Sequence, residues 1–423
     1  MKSLYLSVTF LLFILFSGCA GDQERVFRYT KQGGQKMQEI FLDRISSDTL
    51  EIALSDLFSS FRAIPLETRK ECLIQNVSFT PAGDDLLVGT QHFPGPAMLY
   101  RFDKNGKYLN TIGRGGKGPG EHSGYMQSFC RYYANDNTVL VLWAGDDPQW
   151  FRIDGTLLKT IKMPYWSLMN ILKWGDDEWF SLGNPAGIPH DAVDSLIMVF
   201  YREDGTITKK IPRRRYPPEG VKGYVPSGWG SSVYAYEPDW RIYVEGIDTL
   251  YTVKDKDLVP VGILHPGKGI LDYNKVTDPK YLKGKFSLEF LAETDNNLFL
   301  KKSVIKKADV KQYKPGHWGE MFDTQEVLII IDKKTGKGAV CKAKDDLYGF
   351  ITGKKFSWFD WHPDGYVSYG MPVPDLRKMI SDYESQQEVA PEISARLQPL
   401  KKLNEEDNPV LFLFKVKKYI KIK

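Results

Sequence analysis

One repeat governs what this chain can fold into. An apolar-aromatic run, a tight turn of Asp, Asn, Gly or Pro, and a second apolar run recur six times. The copies are NVSFTPAGDDLLVGT (76–90), SFCRYYANDNTVLVLWAG (128–145), MNILKWGDDEWFSLGN (169–184), SSVYAYEPDWRIYVEG (231–246), EFLAETDNNLFLKKS (289–303) and FSWFDWHPDGYVSYG (356–370). Each reads as a β-hairpin. Outer hairpins follow the first five copies, with polar turns near Gly106, Gly155, Gly205, Lys256 and Gly336. Two hairpins make a unit of four antiparallel strands. The inner turns recur about every 56 residues from Asp84 to Asp364, and four-stranded units of about that length set radially make a propeller.

The sixth unit is interrupted. Residues 371–404 break the strand pattern and turn helical around PDLRKMISDYESQQ and PEISARLQPLKKL, before DNPVLFLFKVKK returns to strand. The missing outer strand is expected from the N-terminal side, SSFRAIPLET at 59–68, with the C-terminal YIKIK as competitor. Closure of that kind hides two sheet edges. The fold class is therefore all-β: a six-bladed β-propeller of four-stranded antiparallel blades with a helical insert in the last blade. The domain reading is a signal peptide at 1–18, a tether at 19–50 with at most one short strand, and the propeller at 51–423, its insert at about 374–404.

The N-terminus sets the compartment. Lys2 precedes an apolar run, Leu4 to Phe16, and then Ser17-Gly18-Cys19. The run is a secretory signal, too short to span a membrane permanently. Small residues before a cysteine resemble the bacterial lipobox, with Phe16 where Leu is commoner. The resemblance implies cleavage before Cys19 and lipid on its sulfur, hence a protein anchored in the cell envelope, at the outer membrane on its periplasmic or surface face. Cys72, Cys130 and Cys341 remain, an odd number without C-x-x-C, so they read as small buried hydrophobes. A net charge of +4 over 423 residues argues against a polyanion, and no nucleic-acid partner is expected.

IGRGGKGPGEHSGY, from Ile112, contains G-x-G-x-x-G. A dinucleotide fingerprint needs a helix directly after the glycines inside a parallel βαβ unit. Here Pro119-Gly120 follows and every neighbour is antiparallel, so the stretch reads as the link between blades 1 and 2, where glycine permits positive φ and close approach. IPLET at 64–68 with Leu73-Ile74, the GRGGKGPGE link, and DNPVL at 407–411 after a helical insert together resemble one family. It is the six-bladed β-propeller lipoproteins abundant in Bacteroidetes, relatives of NHL and TolB-like propellers. The resemblance covers most of the mature chain and implies the fold, while its motifs are structural.

Long loops collect on one predicted face, where second and third strands and successive blades are linked. That gathering points to binding. The expected ligand contacts are Trp143, Trp150, Trp229, Trp318, His122 and His317, with Phe93 and Tyr224 as further stacking surface. The histidines lack a two-His ligand spacing, and no metal or cofactor is expected. The acidic pairs read as turn formers. The sequence thus favours a lipid-anchored binding propeller over an enzyme, holding a glycan, peptide or partner protein. The alternatives are a lyase or hydrolase at the channel mouth, drawing on Glu121, His122 and His317, and a structural component of an envelope complex.

Overall fold

The computed structural model describes residues 25–422, apart from 76, 92–94, 119, 125–126, 166–167, 184–195, 213–230, 237–238, 245–246, 272–278, 309–321, 352–358, 363 and 387. Six antiparallel blades form a ring. Blade 1 runs outward through Val77–Ala82, Asp85–Thr90, Met98–Phe102 and Tyr108–Ile112. Blades 2 to 5 repeat that order over 127–160, 168–212, 231–265 and 286–344.

The middle strands are apolar on both faces because each blade is sandwiched between two others. Leu86 and Val88 pack with Leu411 and Leu413 of blade 6, while Leu87 and Leu99 pack with Val139, Val141 and Trp143 of blade 2. Alternate side chains of one strand thus serve two different interfaces. Gly106 and Gly155 sit at outer turns with φ of +85° and +93°. A Cβ at either would lie 2.2 or 2.5 Å from a carbonyl oxygen of the preceding blade's outer strand. Close stacking of one blade on the next therefore requires glycine there.

Blade 6 is built from both ends of the chain. Asp360–Trp361, Tyr366–Met371 and Val410–Val416 are completed by Phe58–Pro65, with Leu411 opposite Ile64 and Phe414 opposite Phe61. The N-terminal strand closes the ring. YIKIK lies outside the sheets, its Ile420 backbone held at both N and O by the Asn297 side chain, 2.7 Å each. Asn408 pins the closure. Its side chain accepts from Ile74 N (2.9 Å) and donates to Glu67 O (2.8 Å) and Cys72 O (2.7 Å). IPLET, Leu73-Ile74 and DNPVL are therefore one contact. Two helices, α1 (Val373–Gln386) and α2 (Pro391–Lys401), form the insert, and bury Leu376, Ile380, Leu397 and Leu400 beside Phe412.

The stretch expected as tether is ordered from residue 25. It forms β1 (Phe27–Gln32), β2 (Gln35–Phe41) and β3 (Thr49–Ala53), ahead of the closing strand β4 (Phe58–Pro65). β2 adds in parallel to the outer strand of blade 4, and β3 in parallel to that of blade 5. This strap adds two strands outside the four antiparallel strands of blade 4 and one outside those of blade 5. The reason is an apolar stripe: Phe27, Ile40 and Ile52 are buried against those blades.

A buried charge cluster ties the strap to blades 4 and 5. The Glu293 carboxylate accepts from Gln38 Nε2 (2.7 Å), Lys333 Nζ (2.8 Å) and Tyr234 OH (3.1 Å). Arg241 Nε stands 3.5 Å away, and the side chains of Glu293 and Lys333 are 0% and 2% exposed. With no water reaching the carboxylate, these four partners replace its solvation.

Candidate functional site

The glycine link is structural. Gly113 has φ of +76°, and a Cβ there would touch the Trp143 ring at 3.1 Å. Gly116 N donates to His122 O (2.8 Å) and His122 N to Arg114 O (2.9 Å). Glu121 folds over the glycines and accepts from Gly118 N at 2.8 Å. Its carboxylate is engaged in holding the loop.

Three expected ligand contacts are interior. Trp143 is fully buried, and His122 stacks flat on it at 3.7 Å with 1% exposure. Trp143 Nε1 donates to Gln149 Oε1 (3.0 Å), and Gln149 Nε2 returns to the link at Gly120 O (3.1 Å). Trp150 is 4% exposed and packs edge-on against Trp179 at 4.9 Å. WAGDDPQW looks like a loop, but Trp143 ends one strand and Trp150 sits in the next, where the neighbouring blade covers them. These are packing residues. Phe93, Tyr224, Trp229, His317 and Trp318 lie outside the described residues.

A cavity lies elsewhere among the described residues, between blade 5 and the inner strand of blade 6. It has a volume of about 670 Å³ and is walled by Lys301, Lys306, Asp323, Glu326, Phe359 and Trp361, among others. Blade 5 makes room for it by the length of its middle strands, Asn297–Ala308 and Phe322–Asp332. They outrun the outer strand, which pairs only with Leu328–Ile331. Lys301 is tied to Glu289 at 2.5 Å, and Trp361 leans on Phe299 at 5.0 Å. A planar apolar wall beside fixed charges of both signs suits a polar ligand with flat faces. Sequence reading missed Phe359 and Trp361 because FSWFDWHPDGYVSYG registered as hairpin. Their alternation around Asp360 was the available signal.

Asp360 takes the other side of that strand. Its carboxyl is exposed to water at one side while protein packs around the rest. Burial raises its carboxyl to about 6, opposed by Lys301 and assisted by Glu289. His362 is the reverse case. Its Nε2 meets Ser368 Oγ at 2.7 Å, and burial depresses its pKa to about 3. A histidine held neutral when folded and charged when unfolded contributes stability that is complete above the unfolded value of about 6.5 and is lost toward pH 3. His362→Gln is therefore expected to remove about 2 kcal/mol of the stability difference between pH 7 and pH 5. Urea midpoints at the two pH values measure it, and an unchanged difference would contradict a buried neutral His362.

Among the described residues, no group of three His, Cys, Asp or Glu side chains is arranged to hold a metal. Cys72, Cys130 and Cys341 are free, and burial pushes the thiols of Cys130 and Cys341 up to about 12.

Comparison with known proteins places the chain among related folds. A family model described as a domain of unknown function (DUF4934) matches residues 37–415. No curated protein matches the chain. The crystal structure of a Bacteroides fragilis protein named as exported is similar over 88% of this chain and 98% of its own, with 18% identity and a TM-score of 0.61. The WD40 domain of Neurospora crassa Pan2 is similar over 62% of this chain and 63% of its own, with 10% identity and a TM-score of 0.33.

Proposed function

The chain belongs to the DUF4934 family, and from that premise we propose that it is an exported binding propeller, lipid-anchored through Cys19 and of the NHL and TolB-like type. Export is supported by the signal-like N-terminus and by the exported B. fragilis neighbour; the anchor is supported by Ser17-Gly18-Cys19. The ligand is held in the cleft between blades 5 and 6, and the observation that carries this is the cavity itself, with its aromatic wall and bracketing charges. The ligand class we favour is a saccharide, because a sugar ring presents one apolar face to a residue such as Trp361 and hydroxyls to the charged groups around it.

Glycan and peptide arrays probed with the folded domain test this. Lys306→Ala and Glu326→Ala, both at the cavity wall, are expected to weaken glycan binding by about 1–3 kcal/mol with unchanged melting temperatures. Binding of peptides alone would replace the ligand class. Full binding in both variants, with loss in Trp229→Ala, Trp318→Ala or His317→Ala, would move the site to the loops of the earlier expectation.

A further inference from the structure

We propose that the cationic rim where the chain enters the ring rests on an anionic lipid surface, so that the anchored propeller stands with the blade 4–5 edge toward the membrane and blades 1 and 2 away from it. The inference rests on acylation of Cys19.

Chain length carries the first half. Only six residue steps separate Cys19 from Arg25. At no more than about 3.6 Å per step the span is at most roughly 20 Å. Arg25 is already fixed to the ring: Arg44 Nη1 donates to its carbonyl at 3.0 Å, and the next residues, Val26 and Phe27, donate their amides to Gly336 O at 2.8 and 3.1 Å. The rim at that point must therefore lie within a short tether's reach of the lipid.

Charge carries the second half. Three segments far apart in sequence bring Arg25, Arg44, Lys334 and Lys337 around the entry point. Lys334 and Lys337 are exposed on the turn whose Gly336 receives the entering chain, and Arg28 follows one strand residue later. The acidic neighbours are Asp22 and Glu24 in the connection to Cys19 and, among the described residues, Glu39, Asp332 and Asp43, against the five basic residues Arg25, Arg28, Arg44, Lys334 and Lys337. Glu39 is paired with Arg28 at 2.6 Å. Asp332 is buried and accepts from the amides of Lys334 and Thr335 and from Tyr419 OH. Asp43 is exposed beside Arg44. Basic residues close to an acyl anchor each strengthen attraction to an anionic leaflet about fivefold, within a Debye length.

The test uses the full-length acylated protein in vesicles. A fluorophore is attached through Thr335→Cys in blade 5 or Leu158→Cys in blade 2, three blades away and therefore across the ring. A quencher is carried on lipid headgroups. In vesicles containing phosphatidylglycerol the residue 335 probe is expected to be quenched severalfold more than the residue 158 probe. The difference should shrink at high salt and in Lys334→Glu/Lys337→Glu. Equal quenching at the two sites in floating vesicles overturns the orientation alone. A difference that persists unchanged in phosphatidylcholine vesicles and at high salt overturns the electrostatic contact. Protein that fails to float overturns the anchor reading beneath both.

Discussion

A chain that begins at Leu66 is expected to lose cooperative unfolding. It lacks β4, so the strand Val410–Val416 in blade 6 becomes a bare edge, and the ring opens. Besides the buried residues of the strap, four buried apolar residues leave in or just before the closing strand: Leu54, Leu57, Phe58 and Ile64. At about 1.5–3 kcal/mol each their burial is worth roughly 6–12 kcal/mol, as large as the whole stability of an ordinary domain. Calorimetry checks it: a single sharp transition near the parent's melting temperature would exclude N-terminal closure. Asn408→Ala is the graded version. It leaves one amide and two carbonyls without their partner in a buried site. The expected loss is about 2–3 kcal/mol with cooperativity retained.

Glu293→Ala is the second large effect. It leaves the Lys333 ammonium, 2% exposed, and Arg241 at 9% without the carboxylate they face. Breaking a buried ion pair on one side costs about 3–5 kcal/mol. Gln38 loses its partner too, so the strap should loosen from blade 4 along with blade 5. Glu293→Leu combined with Lys333→Met removes two of the three charges, leaves Arg241 with Asp239 at 3.7 Å, and is expected to recover part of the loss. Urea denaturation of the three proteins checks this, and a single variant within about 0.5 kcal/mol of the parent would mean that water enters the cluster.

The ring was legible because a blade repeats its own local chemistry: two runs, a turn, two runs. β4 was legible because an orphan strand pattern had one vacancy to fill. The strap was not. QKMQEIF carries its apolar residues among charges, and its partner strand Asp257–His265 lies more than 200 residues on, joined to it by no turn. The site was obscured for the same reason. Whether a tryptophan is core or surface depends on which blade stands next to it. Trp143 is covered by contacts with blade 1 that a linear reading cannot weigh, and Trp361 borders open space left by the long strands of blade 5. The buried charge cluster gave no sequence signal beyond turn residues, because Gln38, Arg241, Glu293 and Lys333 meet only in the finished ring.

The strap also dictates an order of events. Residues 27–65 are made before blades 1 to 5, yet Gln38 pairs with Gly262, Ile52 with Ala343 and Ile64 with Leu411. None of these partners exists until most of the chain has been made. Contacts of such sequence separation are formed late, because the loop-closure entropy must be met before any of them is rewarded. The leading segment therefore waits while blades 1 to 3 assemble behind it, β2 then pairing with blade 4 and β3 with blade 5. Its last strand, β4, is committed only when Val410–Val416 arrives, so the strand after the helical insert locks the leading segment in place.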